Sequence, residues 1–134
     1  MNQYIPINAN KPYDYSVKYE ANPDYCRDVV VIKSGSNSSG TFLPATTLLG
    51  EVTSTGYFAP LNPSATDGTA VASGVLVSSQ IDASSSTVTA VMLSRGPALI
   101  NFEQLNLVNT MTTGQVSSAK STLLGLQIKC EQGV

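Results

Sequence analysis

The 134-residue chain has no histidine, and that absence removes whole classes of chemistry. There is no Ser-His-Asp triad, no His-ligated zinc and no imidazole acid–base pair. The two cysteines, Cys26 and Cys130, form no metal motif, and free thiols are their default state in a reducing compartment; a Cys26–Cys130 disulfide is the lesser alternative. No apolar run reaches the ~18 residues of a membrane helix, and no charged-then-apolar leader opens the chain, so no membrane partner is expected and synthesis in the cytosol is. Basic residues are few and scattered, and the net charge is −2, which argues against a nucleic-acid partner. The Gly-rich stretch 34–40 lacks the lysine of a phosphate-binding loop. No run of alternating carboxylates could form a calcium loop. Neither a cofactor nor a resident metal is therefore expected.

Charge itself is scarce. Only 12% of residues are charged, against ~25% in an ordinary soluble domain. From Ser34 to Phe102 the charged residues are Glu51, Asp67, Asp82 and Arg95 alone. So neutral a surface suits a protein that works packed against neighbours. A surface kept soluble by Ser, Thr and Asn fits the same composition. The carboxylates present leave one enzymatic option open, a two-carboxylate glycosidase using Glu51, Asp67, Asp82 or Glu103. Asp67-Gly68 and Asp82-Ala83 read first as turn residues, and Glu103 follows a strand and precedes a turn of helix, so no enzyme is expected.

What the chain does have is a tyrosine-rich beginning. Five of its six tyrosines, Tyr4, Tyr13, Tyr15, Tyr19 and Tyr25, lie in the first 25 residues, with Pro6, Pro12 and Pro23. Residues 1–12 show no period. Residues 13–20 alternate strictly: Tyr13, Tyr15, Val17 and Tyr19 on one face, Asp14, Ser16, Lys18 and Glu20 on the other. That is the pattern of a half-buried strand, and no tight turn joins it to another. Its partner is either the chain's own core or another chain. Tyrosine offers large contact area at low entropic cost, which suits an interface; covering its own core is the competing reading.

Beyond residue 25 the pattern is β. Residues 28–33 form a β-branched run read as a buried strand, and further strands are predicted at 47–52, 71–77, 87–94 and 98–102. Gly56, Pro60, Pro63, Asp67-Gly68 and Gly96-Pro97 punctuate them, and 34–40 and 82–86 are polar loops. Near the end, Thr112 or Thr113 caps a predicted helix over 114–124, with Gly125 as its left-handed stop and Val116, Ala119, Leu123 and Leu124 on one face. The result is one mainly-β domain with a single docked helix.

An ordered series of segments then resembles a known family. It runs through Leu43-Pro44-Ala45-Thr46-Thr47-Leu48-Leu49-Gly50, Gly56-Tyr57-Phe58-Ala59-Pro60-Leu61-Asn62-Pro63, Ala65-Thr66-Asp67-Gly68-Thr69, Ala72-Ser73-Gly74-Val75-Leu76, Ile81-Asp82-Ala83 and Val91-Met92-Leu93-Ser94-Arg95-Gly96-Pro97-Ala98. Upstream lie Glu20-Ala21-Asn22 and Arg27-Asp28-Val29; downstream lie Asn101-Phe102-Glu103-Gln104-Leu105 and Leu126-Gln127-Ile128. Residues 20–129 so arranged resemble the head decoration proteins of lambda-like phages. The first 19 residues match loosely, the helix is richer in Ser and Thr, and Cys130 to Val134 has no counterpart. The resemblance implies a β-clip-like small barrel, 26–134, with one short C-terminal helix and an extended N-terminal arm, 1–25. It implies homotrimers on the three-fold and quasi-three-fold sites of an expanded head, on the outer surface of the virion's capsid. The arm, through Tyr13, Tyr15, Val17 and Tyr19, would bind the major capsid protein. The alternative is a carbohydrate-binding or adhesion module on the virion surface, for which the Ser-, Gly- and Asn-rich loops offer few aromatics.

Overall fold

Short β-branched and apolar runs separated by Gly, Pro and Ser give strands too brief to stand alone, and they are stabilised by pairing around a shared interior. The computed structural model describes residues 17–131. In order it holds β1 (Val17–Glu20), a one-turn helix (Pro23–Cys26), β2 (Arg27–Ile32), β3 (Leu48–Glu51), β4 (Phe58–Pro60), β5 (Ala72–Leu76), β6 (Val88–Leu93), β7 (Ala98–Asn101), a 3-10 turn (Phe102–Gln104), α1 (Thr113–Gly125) and β8 (Ile128–Glu131). Five strands close a barrel in the order β2-β4-β3-β5-β6; the other three form a sheet ordered β1-β7-β8. The fold is thus the mainly-β small barrel with one C-terminal helix that the sequence predicts.

Two cores, not one, hold it. Successive side chains on a strand point to opposite faces. Here neighbours on one strand are both apolar and both buried: Leu48 and Leu49, Val75 and Leu76, Met92 and Leu93. Leu49, Leu76 and Met92 fill the barrel with Val30, Ile32 and Ala90. Leu48, Val75 and Leu93 face outward and meet Ile100, Phe102, Leu123 and Ile128 from the second sheet and the helix. The barrel wall is therefore apolar on both sides here, and each fully buried aliphatic side chain contributes roughly 1.5–3 kcal/mol.

Two predicted features differ. The 28–33 run is half-buried, not buried: Val30 and Ile32 point inward while Val29 is 73% exposed. β2 shows that outer face to solvent, where neither the helix nor the second sheet covers it. The helix also ends later than predicted. Thr112 caps it in a reciprocal box with Gln115 (Gln115 N to Thr112 Oγ1 3.2 Å; Thr112 N to Gln115 Oε1 2.8 Å). It runs through Gly125, and the left-handed residue is Gln127, at φ 65°. Ala119 and Leu123 are buried, but Leu124 is exposed, one residue and about 100° round from Leu123.

Close strand packing requires glycine at Gly50. A Cβ there would lie 2.6 Å from the Thr69 carbonyl oxygen and 2.8 Å from its Cα, both backbone atoms. The loop ending at Thr69 lies against β3 because of that missing methyl.

Candidate functional site: the root of the N-terminal arm

Of the four arm residues singled out by sequence, Tyr13 and Tyr15 lie outside the described residues. Val17 and Tyr19 lie on β1, which finds a partner in its own chain. β1 pairs antiparallel with β7 in the register Val17↔Ile100, Tyr19↔Leu99 and Glu20↔Ala98, with a shift between Val17 and Tyr19. That irregularity breaks the expected common face. Val17 packs, half-buried, against the second core, while Tyr19 is 56% exposed. β1 ends the sheet, so among the described residues one of its edges has no strand beside it.

The root is fastened to the barrel by charge and by backbone. Arg27, opening β2, forks onto Glu20, ending β1: Nε donates to Oε1 at 2.8 Å and Nη2 to Oε2 at 2.5 Å. Such bidentate pairs are among the stronger charge-assisted bonds. Ala21 N donates to Pro97 O at 2.9 Å. Asn22 caps the one-turn helix, its Oδ1 accepting from Asp24 N at 2.9 Å. Next to it the Arg95 guanidinium stacks over the Tyr25 ring, 5.1 Å from the centroid, and donates to Tyr25 O and to Asp28. Ser94 Oγ also donates to Asp28, at 2.7 Å. The Ser94 hydrogen bond holds the Asp28 carboxyl below its ordinary value; partial desolvation opposes this, and Arg95 adds to it.

Three of the exposed large apolar residues, Tyr19, Tyr25 and Val29, fall within eleven residues at this root. Tyr19 was singled out in the sequence. Tyr25 and Val29 were not; the departure of Val29 from an otherwise buried run becomes visible only once β2 is placed in the barrel wall.

Of the candidate acids, Asp67 and Asp82 behave as turn residues, whereas Glu51 ends strand β3 opposite Phe58. Asp67 Oδ1 accepts from Thr69 N (3.1 Å) and Thr69 Oγ1 (2.6 Å), and Asp82 Oδ1 from Ser84 N (3.1 Å) and Ser84 Oγ (2.7 Å). The Thr69 and Ser84 hydroxyls, with backbone N–H groups, lower their carboxyl values. Glu103 sits in the 3-10 turn after β7. Cys26 and Cys130 are free thiols; partial burial raises the Cys130 thiol. Among the described residues no group of His, Cys, Asp and Glu is placed to hold a metal ion, and no helix is long and apolar enough to cross a membrane.

The described residues thus form a small closed barrel braced by one helix and a three-stranded sheet with β1 at its edge, the architecture of a small mainly-β domain. Comparison with family models is specific: the model for the bacteriophage lambda head decoration protein D matches residues 8–128. The chain belongs to that head decoration family. No curated protein matches it significantly.

Proposed function

We propose that the protein is a capsid cementing protein. It binds the exterior of the expanded head of a tailed phage as homotrimers at three-fold and quasi-three-fold sites and stabilises the shell by contact, without turnover. The observation that carries this reading is family membership across residues 8–128. The arm binds the major capsid protein: Tyr13, Tyr15, Val17 and Tyr19 belong to a strand that adds to a sheet edge of the capsid subunit by main-chain pairing. The open edge of β1 supports that role, since pairing there can extend a ladder already begun. Sixteen residues precede β1, and fully extended they reach on the order of 50 Å, enough to pass from one subunit to the next. Three arms acting together turn a weak contact into a tight one. A ligand of the expanded lattice alone stabilises that lattice over its precursor and over broken shells.

Deletion of residues 1–16 tests the arm. The truncated protein is expected to keep the circular dichroism spectrum and sedimentation behaviour of the full chain and to lose head binding. Unchanged affinity for heads would show that the arm plays no part.

One observation favours a second reading, a glycan-binding module on the virion. Phe42 is 56% exposed beside a cavity of about 370 Å³ whose lining includes Ser36, Asn37 and Thr41. A glycan array separates the two, since cementing requires no carbohydrate.

A further inference from the structure

The barrel wall made by β2 and β6 is apolar on its outside as well as its inside, and part of that outside is bare. β2 pairs with β6 along its whole length, Arg27↔Leu93 to Ile32↔Val88. Val30, Ile32, Ala90 and Met92 point into the barrel. By alternation Arg27, Val29, Val31, Thr89, Val91 and Leu93 point out. At the first pair this outer face is covered: Leu93 lies in the second core, and Arg27 holds Glu20 of β1. Beyond that pair the cover ends. Val29 is the most exposed large apolar residue among the described residues, its partner Val91 and its neighbour Val31 are half-buried, and Thr89 is exposed. The outward face of an antiparallel ladder with one side on a core is ordinarily polar. Here three valines and a threonine bring no charge to it.

We infer that this face is a second seat on the capsid: Val29, Val31 and Val91 bed on an uncharged, apolar patch of the capsid protein, so that the rigid body and not the arm alone touches the shell. The inference rests on the reading that the arm binds the capsid, and deepens it by adding a contact of the body. Three observations carry it. The first is continuity. The second sheet ends at β1, and Arg27, on the same face of β2 as Val29, holds β1 by Glu20. Val29 lies ~7 Å beyond Arg27, and β1 from Val17 to Glu20 spans ~10 Å. A protein contact of ordinary size, ~800 Å² on each partner and so roughly 30 Å across, takes in both.

The second is area. The whole β2–β6 ladder measures roughly 20 Å by 10 Å, or ~200 Å², and its Arg27 end is already covered. A stable contact between two copies needs ~800 Å² from each, so this face is too small to hold a second copy by itself. It serves as one part of a larger contact, and the contact that β1 opens is the neighbouring one. The third is charge. The ionic groups at the covered end are paired within the chain, Arg27 with Glu20 and Arg95 with Asp28, which leaves the valines between them and Thr89 without a net field. A charged partner would lose its hydration there and gain no counter-charge, so the complementary surface is apolar and uncharged. A body seated beside its arm also adds a short-range contact to a tethered one, and the two reinforce each other through effective concentration.

Thiol accessibility in the full-length protein tests this. In a Cys130→Ser background the remaining natural thiol, Cys26, is fully buried, so iodoacetamide reads the thiol introduced by Val29→Cys. Its alkylation is expected to be fast in the free protein and to slow about tenfold or more on expanded heads that lack the decoration protein. Slow alkylation without heads, at any protein concentration, would identify a second copy as the occupant and overturn the seat; so would a rate that bound heads leave unchanged. Affinity gives an independent reading. Val29→Asp carries a charge into the contact and should weaken head binding about tenfold or more, whereas Val29→Ile should keep it. The residue is exposed, so the circular dichroism spectrum of Val29→Asp is expected to match that of the natural sequence. Equal affinity of the two variants for heads also overturns the seat. The two readings fail separately: a full-length protein that binds heads with its Val29→Cys thiol still reactive refutes the seat and leaves the arm, whereas a protein lacking residues 1–16 that binds heads as tightly as the full chain refutes the arm.

Discussion

Replacing Glu20 by Gln isolates the bond that ties the arm root to the barrel. β1 is short and lies at a sheet edge. Its attachments are an irregular ladder to β7, the packing of Val17, the Ala21–Pro97 hydrogen bond and the Arg27 fork. The Glu20 side chain is 10% exposed and that of Arg27 35%, so the pair stands between two regimes. Exposed pairs contribute ~0–1 kcal/mol, whereas removing one member of a fully buried pair costs ~3–5 kcal/mol. Scaled to this burial, Glu20→Gln costs about 1–2 kcal/mol, and β1 opens locally about 5–30 times more often. Hydrogen exchange reads this directly: β1 amides accelerate by that factor, while amides of β3 and β5 inside the barrel hold their rates. Arg27→Gln and the double variant complete a cycle with an expected coupling of about 1–2 kcal/mol. If β1 exchange is unchanged, the fork is an ornament of the surface. If every amide accelerates together, β1 is no separate unit, and the reasoning that treats it as a latch fails.

Leu123→Ala removes a fully buried side chain that packs the helix on the second core, and a loss of ~2–5 kcal/mol is expected in urea denaturation. Gly50→Ala drives a methyl into the Thr69 backbone at 2.6 Å, and a lowered urea midpoint, by about 1–3 kcal/mol, is expected. For Asp28 the folded carboxyl titrates below its unfolded value, so its contribution is complete above about pH 4 and is lost as pH falls through the folded value. Asp28→Asn should therefore flatten the acid limb of a stability–pH curve below about pH 4 while lowering stability at neutral pH; a variant curve parallel to that of the natural sequence at every pH would contradict this.

The strands legible in the sequence are those where β-branched and apolar residues run together: β2, β3, β5, β6 and β7 each fall within a residue of the expected limits. β4 was not legible. It is the three residues Phe58–Pro60, and Pro60 reads as punctuation although it closes an edge of the ladder opposite Leu49. Pro23 likewise reads as a break, yet a proline fits the first turn of a helix, where its missing N–H costs nothing. Gly125 drew the helix stop because glycine is the usual left-handed residue, but the chain turns at Gln127. The site was half legible. Alternation marked Val17 and Tyr19 as a strand, but the irregularity that turns Tyr19 outward depends on β7, eighty residues away. The Arg27–Glu20 fork obeys no local spacing rule, because it joins two different sheets.

The scarcity of charge now has a physical source that composition alone could not supply. The stretch with four charged residues, Ser34 to Phe102, holds four of the five barrel strands, β3 to β6, with their loops, and β7 of the second sheet. Part of that wall buries apolar side chains on both faces, so β3, β5 and β6 have little room for charge. Neutrality there is first a consequence of two cores sharing one wall. Evidence of a surface meant for contact must come from apolar groups left exposed, and these are uneven: Tyr19, Tyr25 and Val29 lie close together in sequence around the Arg27–Glu20 bond. An arm that binds while its root swings freely transmits little restraint to the body, because the tether absorbs the motion in conformational freedom. A root fastened through Glu20, Ala21 and Asn22 to the barrel couples whatever the arm grips to a rigid body. On the proposed arm contact, reinforcement would require the latch as much as the arm, and a variant with an intact arm and a broken latch should still find heads yet protect them less.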